Sequence, residues 1–136
     1  VVTPNIPEAE ILAGSRISGE QDFEVMARKL SAIGNVSVLL KAGHLCGDTL
    51  VDYFYNAEDD AVLKMPSKRV YTVNTHGTGC TLSSAFAAAL AGGEDLTSAA
   101  ISAKRYIEQA VISGAEYEIG GGHGPVNHSF NPLKMI

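Results

Sequence analysis

The stretch at residues 74–80, Asn-Thr-His-Gly-Thr-Gly-Cys, has the residue types and spacing needed to hold a phosphate group. Its two glycines, Gly77 and Gly79, let the backbone turn tightly and approach a ligand closely. The small-residue run at 81–91 predicts a helix directly afterwards, and the first N–H groups of a helix are unpaired and lie at its positive end. We therefore predict an anion site in which residues 77–80 donate N–H groups to phosphate oxygens.

The same stretch also allows a simpler interpretation, a tight connection between a strand and a helix in which glycine serves only the turn. It is not a Walker A motif, because the GKS/T ending is missing, and it does not match GxGxxG. Two common nucleotide-binding folds therefore lose support.

Strands and helices alternate along the chain and must position this stretch. Residues 36–40 are an apolar run typical of a strand buried on both faces of a parallel sheet, and Lys41 follows at the edge where open α/β sheets bind ligands. An amphipathic helix is predicted over 20–33 from the apolar residues Phe23, Met26, Ala27, Leu30 and Ile33. The other predicted elements are a helix near 7–12, strands at 49–55, 61–65 and 70–73, the helix at 81–91 and a last helix ending at 113. This alternation predicts an α/β layered fold.

Composition excludes several classes of protein. Hydrophobic residues make up 46% and charged residues 18% of the 136 residues, which is typical of a globular chain. A net charge of -5 with scattered basic residues argues against a nucleic-acid partner. No apolar window approaches the length that spans a bilayer. Cys46 and Cys80 lack zinc-site spacing, and a reducing cytoplasm is the simplest location for them.

Residues 74–80 resemble the ribokinase-superfamily signature, Asp-Thr-x-Gly-x-Gly-Asp, with Asn74 and Cys80 in place of the two acids. Asn-Thr-His-Gly-Thr-Gly-Cys is similar to the variant in hydroxymethylpyrimidine (phosphate) kinases of thiamine biosynthesis. Residues 3–10, 41–44 and 122–128 agree with the same family. The resemblance covers nearly the whole chain, but only the C-terminal half of the family's domain.

This resemblance implies an α/β fold of the ribokinase-like, three-layer α/β/α type. Residues 1–136 would be the C-terminal, nucleotide-binding part of one domain, and the N-terminal, substrate-binding half would be absent. The chain opens with Val-Val-Thr-Pro-Asn and no initiator methionine, so we expect it to be part of a longer product.

The resemblance assigns catalysis to the end of the stretch, with Gly77, Thr78 and Gly79 as the anion hole and Cys80 as the base. A thiolate, which a helix N-terminus favours, accepts the proton of a primary alcohol as the alcohol attacks the γ-phosphorus. Phosphoryl transfer requires mainly positioning and charge stabilisation, so a modest base suffices. The alternative for Cys80 is a buried, inert cysteine at the start of a helix.

The implied cofactors are ATP and Mg²⁺. Lys41 would contact the ATP phosphates, whereas its alternative is a solvated lysine at a strand end. Asn5 and Glu8 fit an Asn-x-x-Glu motif that holds Mg²⁺ and phosphates, often through water, as the hydration of Mg²⁺ allows; their alternative is the decoration of a helix N-terminus. The loop residues implied to contact the nucleotide are Asn74, Thr75 and His76. No catalytic role is assigned to His44, His76, His123 or His128.

The expected activity is ATP-dependent phosphorylation of 4-amino-5-hydroxymethyl-2-methylpyrimidine, of its monophosphate, or of both. One alternative is a pyridoxal or pyridoxine kinase, whose acceptor is also a hydroxymethyl heteroaromatic compound. Another is a non-catalytic nucleotide-binding module, because the chain is a half-domain. The resemblance further implies a homodimer, while the composition described above indicates a cytoplasmic location without a nucleic-acid or membrane partner.

Overall fold

The structure, a computed structural model, describes residues 1–43 and 46–131. The chain divides into two compact units, Val1–Arg69 and Val70–Ile136. Among the described residues, no helix combines the length and the apolar character needed to cross a membrane.

The first unit begins with two helices whose ends follow from local sequence. Helix α1 is Ile6–Ala13, with Asn5 as its N-cap and Gly14 as its left-handed C-cap at a φ of 62°. A 3₁₀ turn, Glu20–Asp22, leads into α2, Phe23–Gly34, which ends on Asn35 with a φ of 50°. Both helices lie where the spacing of apolar residues and the glycines predict them.

Three antiparallel strands follow, in the order β1 (Val38–Leu40), β2 (Thr49–Asn56) and β3 (Ala61–Lys68). The hairpin of β2 and β3 is the predicted one, with Asn56 paired to Ala61 across the turn. In the first unit, isolated parallel bridges join Val2 with Val38 and Asn5 with Lys41. The strand predicted at 36–40 is buried as expected, but the expectation of a parallel sheet is corrected, because β1 pairs with β2 in the antiparallel direction and meets only Val2 in a parallel bridge among the described residues.

The core of the first unit lies between these helices and the sheet. Phe23 and Leu30 are among its buried members, and the Phe23 ring meets the Tyr53 ring edge-on with centroids 5.2 Å apart. Ile33 was predicted on the same buried stripe, but it is 67% exposed. It lies in the last turn of α2, and the buried residues of that helix end at Ser31.

The second unit contains two packed helices, α3 (Thr78–Ala91) and α4 (Leu96–Gly114). Asp95 caps α4 by accepting a hydrogen bond from the Ser98 N–H at 2.9 Å. The hydrogen bonds from the Ser98 backbone and then from its hydroxyl lower the pKa of Asp95. Ala99, Ala103 and Ala110 on the inner face of α4 are buried.

The predicted strand at 70–73 is wrong, because the structure assigns no strand to these residues. Side-chain hydrogen bonds take the place of a ladder: the Thr72 hydroxyl donates to the Ala115 carbonyl at 2.9 Å and accepts from the Asn74 N–H at 3.0 Å. Such local bonds compete with strand pairing. Tyr71 and Val73 are 77% and 65% exposed, unlike residues of a buried strand.

We expect Leu30→Ala to lower the free energy of unfolding of the chain by about 2–5 kcal/mol, because Leu30 is buried and its truncation leaves a cavity. Ile33→Ala, in the same helix but exposed, should change it by less than about 0.5 kcal/mol. Urea unfolding followed by circular dichroism measures both. Equal losses in the two variants would contradict the assignment of the core face of α2.

Candidate functional site

Helix α3 begins at Thr78, three residues before the predicted start at Thr81, so the first turn of the helix contains the predicted donors. Gly77 is the N-cap and has a left-handed φ of 85°, a conformation that favours glycine. The Thr81 N–H donates to the Gly77 carbonyl at 2.8 Å and closes the first turn. Glycine and threonine at 77–79 are poor helix formers, which is why the sequence pattern placed the helix too late.

Two amides in the first turn of α3 have no acceptor within the helix. The Thr78 N–H donates to the Thr75 carbonyl at 3.2 Å, and the Thr78 hydroxyl donates to the same carbonyl at 2.6 Å. Helix geometry gives the N–H groups of Gly79 and Cys80 no intrahelical acceptor. They lie at the positive end of a 14-residue helix, so the turn can bind an anion.

The Cys80 side chain is exposed and free of any disulfide. The alternative of a buried cysteine at the helix start is therefore wrong. Cys80 lies in the first turn of α3, the same turn as the two amides that lack an intrahelical acceptor.

Asn74, the first residue of the stretch, is 2% exposed. Its side-chain Nδ2 donates to the carbonyls of Gly114 at 2.8 Å and Tyr117 at 2.6 Å, with a longer contact of 3.4 Å to the Ala115 carbonyl. These carbonyls belong to the C-terminal end of α4 and the residues after it. Asn74 was predicted to contact the nucleotide, but its side-chain nitrogen donates to carbonyls of the protein.

A C-terminal segment, residues 123–128, lies against the stretch. His76 and Pro125 form a parallel bridge, in which the His76 N–H donates to the Gly124 carbonyl at 3.0 Å. The His128 ring nitrogen Nε2 is 2.8 Å from the hydroxyl of Thr81, which is buried. His123 Nδ1 is 3.3 Å from the Val73 carbonyl.

The sequence pointed to residues 122–128 only through the family resemblance, and nothing in it predicted the contact of His128 with α3. Thr75 and His76 are exposed, and their contact with a nucleotide stays a prediction.

Lys41 lies in the first unit, directly after β1. Its N–H donates to the Pro4 carbonyl at 2.9 Å. The next residue, Ala42, donates its N–H to the buried carboxylate of Asp52 at 2.7 Å. The backbone on both sides of Lys41 is therefore held, while the predicted neighbour His44 lies outside the described residues.

Asn5 and Glu8 form a capping box at the start of α1. The Glu8 N–H donates to Asn5 Oδ1 at 2.9 Å, and the Asn5 N–H donates to Glu8 Oε2 at 2.8 Å. This is the helix N-terminal role that the sequence left open as the alternative. The bridge between Asn5 and Lys41 places these two residues on neighbouring chain segments.

The capping box occupies one of the two Glu8 carboxylate oxygens, which leaves few ligand atoms for a metal ion. Among the described residues there is no group of three or more His, Cys, Asp or Glu side chains that could hold a metal ion. Glu8 is exposed and one of its carboxylate oxygens is not used by the cap. One carboxylate oxygen fits Mg²⁺, which keeps several water ligands and takes few carboxylates.

The family described as phosphomethylpyrimidine kinase matches residues 1–127 of the chain. The chain belongs to this family. The resemblance drawn from residues 74–80 is thereby confirmed.

Curated relatives in the phosphomethylpyrimidine kinase family agree. The chain is 44% identical over 131 residues to the hydroxymethylpyrimidine/phosphomethylpyrimidine kinase of Rhizobium meliloti, covering 94% of this chain and 48% of that protein. It is 47% identical over 128 residues to the thiamine biosynthesis bifunctional protein ThiED of Geobacter sulfurreducens, covering 94% of this chain and 25% of that protein. The chain thus spans half or less of the length of these relatives.

Solved structures show the same fold. The ADP complex of Bacillus subtilis pyridoxal kinase matches with a TM-score of 0.83 and 32% identity, covering 94% of this chain and 49% of that one. The Staphylococcus aureus pyridoxal kinase in complex with AMP-PCP matches with a TM-score of 0.86 and 29% identity, covering 96% and 47%. The predicted α/β, ribokinase-like fold class is confirmed.

We expect Asn5→Ala to lower the free energy of unfolding by about 1 kcal/mol, because the Glu8 N–H loses its acceptor. Asn5→Ser is the matched control, since serine is also a good N-cap and should preserve most of that stability. Urea unfolding measures both variants. An equal loss in Asn5→Ser and Asn5→Ala would contradict the capping role.

Proposed function

We propose that this chain is the nucleotide-binding, C-terminal part, residues 1–136, of one ribokinase-like domain in an ATP-dependent kinase. Its acceptor is 4-amino-5-hydroxymethyl-2-methylpyrimidine, the monophosphate of that compound, or both, in thiamine biosynthesis. The observation that supports this most directly is the first turn of α3, in which two amides without intrahelical acceptors accompany an exposed cysteine. In this proposal the substrate-binding half lies outside residues 1–136, and the chain covers 48% of the Rhizobium meliloti relative.

The amides of Gly79 and Cys80 bind the transferring phosphoryl group of ATP, and the turn at Gly77 holds them in place. These N–H donors stabilise the negative charge on the phosphoryl oxygens in the transition state, and the helix holds them in position before the reaction begins. Thr78 supports the turn, because its hydroxyl and its N–H both bind the Thr75 carbonyl. Thr75 and His76 line the exposed approach to the phosphates.

Cys80 is the base of this reaction. Its Sγ, as the thiolate, accepts the proton of the acceptor hydroxymethyl group while the acceptor oxygen forms its bond to the γ-phosphorus. The bond between that phosphorus and the bridging oxygen of ATP breaks, and ADP leaves with the electron pair. Positioning supplies most of the rate in phosphoryl transfer, so a thiolate replaces the aspartate of the wider superfamily signature.

Lys41 contributes its positive charge to the ATP phosphates, and its backbone is held between the Pro4 carbonyl and the Asp52 carboxylate through Ala42. Glu8, with Asn5 beside it, holds Mg²⁺ through water. When bound, Mg²⁺ neutralises phosphate charge. A homodimer and a cytoplasmic location belong to the same proposal, on family resemblance.

A pyridoxal kinase is the second candidate, and it rests on one observation. The solved structures that match with TM-scores of 0.83 and 0.86 are pyridoxal kinases. Their identity to this chain is 32% and 29%, below the 44% of the hydroxymethylpyrimidine/phosphomethylpyrimidine kinase of Rhizobium meliloti. The pyrimidine is therefore the better supported acceptor.

We expect Cys80→Ala to lower kcat by about 10²-fold or more, the scale of general-base catalysis. The KM for ATP should change little, because the backbone amides remain in place. Cys80→Ser is the control for side-chain size, and it should stay close to Cys80→Ala because a hydroxyl is a poor base at neutral pH. The assay is ADP release from MgATP with hydroxymethylpyrimidine, its monophosphate or pyridoxal, on this chain and on the full-length protein.

The choice of acceptor separates the candidates. Release with the pyrimidine or its monophosphate supports the proposed kinase, and release with pyridoxal alone supports the second candidate. Nucleotide binding with no release from either protein would indicate a non-catalytic nucleotide-binding module. Full activity in Cys80→Ala would overturn the role of Cys80 as base.

We expect Glu8→Gln to raise the Mg²⁺ concentration needed for half-maximal ADP release, because the variant loses a negative charge. Glutamine still serves in a capping box, so the free energy of unfolding should change by less than about 0.5 kcal/mol. Glu8→Ala, which loses both charge and cap, is the comparison. An unchanged Mg²⁺ requirement in Glu8→Gln would limit Glu8 to its role in capping α1.

A further inference from the structure

We propose that Asn74 is a positioning residue, whose carboxamide locks the anion-binding turn to the C-terminal end of α4, and that it does not bind the nucleotide itself. This inference rests on the proposed function of the turn at 77–80. It replaces the nucleotide contact that the sequence motif implies for Asn74.

The lock depends on a donor at position 74. The last carbonyls of a helix have no intrahelical partner and lie at its negative end. The Asn74 Nδ2 meets the carbonyls of Gly114 and Tyr117 at 2.8 and 2.6 Å, with Ala115 further away at 3.4 Å. A carboxylate accepts hydrogen bonds only, so an aspartate here would face carbonyl oxygens with no proton to share. The asparagine that departs from the superfamily signature therefore suits the acceptors around it.

The other face of the Asn74 side chain is closed by Gly124. A Cβ atom added to Gly124 would lie 2.0 Å from Asn74 Oδ1 and 2.8 Å from Cγ. The Asn74 side chain cannot move away without losing its carbonyl partners, so position 124 has no room for a larger residue. The Gly124 carbonyl also accepts the His76 N–H at 3.0 Å, so the glycine contacts the stretch on both sides of Thr75.

This arrangement fixes the chain immediately before the turn. Residues 74 and 76 are held by α4 and by the segment at 123–128, and Gly77 follows at once. The Thr75 carbonyl between them accepts both bonds from Thr78. A shift of residues 74–76 would therefore move the carbonyl that supports the first turn of α3, and with it the amides of Gly79 and Cys80.

The decisive variants are Asn74→Asp, which keeps the shape and removes the donor, and Asn74→Ala, which removes the side chain. Asn131→Asp adds the same charge at an exposed position and serves as the control. Amide hydrogen exchange without nucleotide is measured by NMR. We expect exchange at Thr78 and Thr81 to accelerate roughly ten- to a hundredfold in both Asn74 variants, the scale of one lost buried hydrogen bond, with α1 and α2 unchanged.

A second measurement separates positioning from stability alone. The affinity for AMP-PCP is measured at a temperature where each variant remains folded by circular dichroism. We expect a loss of about tenfold or more in both Asn74 variants, since misplaced donors bind an anion less well. A folded Asn74→Ala with the affinity of the parent chain would overturn the positioning role, as would unchanged exchange at Thr78 and Thr81 in Asn74→Asp.

Gly124→Ala tests the contact between Gly124 and the Asn74 side chain. We expect it to impair folding in the parent chain, whereas Asn74→Ala/Gly124→Ala should be no less stable than Asn74→Ala, because the clashing atoms are gone. Additive losses in the double variant would contradict the contact. If the parent chain binds no AMP-PCP, the proposed nucleotide-binding function fails, while the exchange and double-variant results still decide whether the lock exists.

Discussion

The left-handed backbone at Gly77 is the constraint on which the candidate site depends. Its φ of 85° lets the chain turn from residues 74–76 directly into α3. A Cβ atom at position 77 would meet nothing closer than the Thr81 hydroxyl at 4.0 Å. Glycine is therefore required for its backbone conformation and not for lack of space. Because the helix starts at once, Gly79 and Cys80 occupy its first turn, where N–H groups lack acceptors.

Several hydrogen bonds that stabilise the fold are made by candidate site residues or by their neighbours in the chain. Asn5 and Glu8 satisfy each other as the cap of α1 while they remain candidates for contacts to Mg²⁺. Asp52, a buried carboxylate in β2, accepts from the N–H of Ala42, next to Lys41. Buried polar groups must find partners within the protein, and here the partners are backbone groups beside the residues proposed to act on ATP.

The two units carry different parts of the proposed chemistry. The first contains Lys41 and the capping box, which supply charge for phosphates and an oxygen for a hydrated metal. The second contains the turn at 77–80, with amide donors and an exposed thiol. Family membership extends across both units, since the match covers residues 1–127, while the relatives are at least about twice as long as this chain.

The sequence by itself determined the features that local rules govern. The helices that begin after Asn5 and at Phe23 and the hairpin of β2 and β3 follow from caps, apolar spacing and turn residues a few positions apart. The motif at residues 74–80 indicated the family, which the family match confirms. Only the tertiary structure decided the partners of Asn74 and Thr81, which lie 40 and 47 residues away along the chain. The tertiary structure also explains why residues 70–73 form no strand, because the Thr72 hydroxyl donates to the Ala115 carbonyl directly after α4. A local sequence pattern indicates which polar groups need a hydrogen-bond partner, but the tertiary structure determines which distant residue provides it.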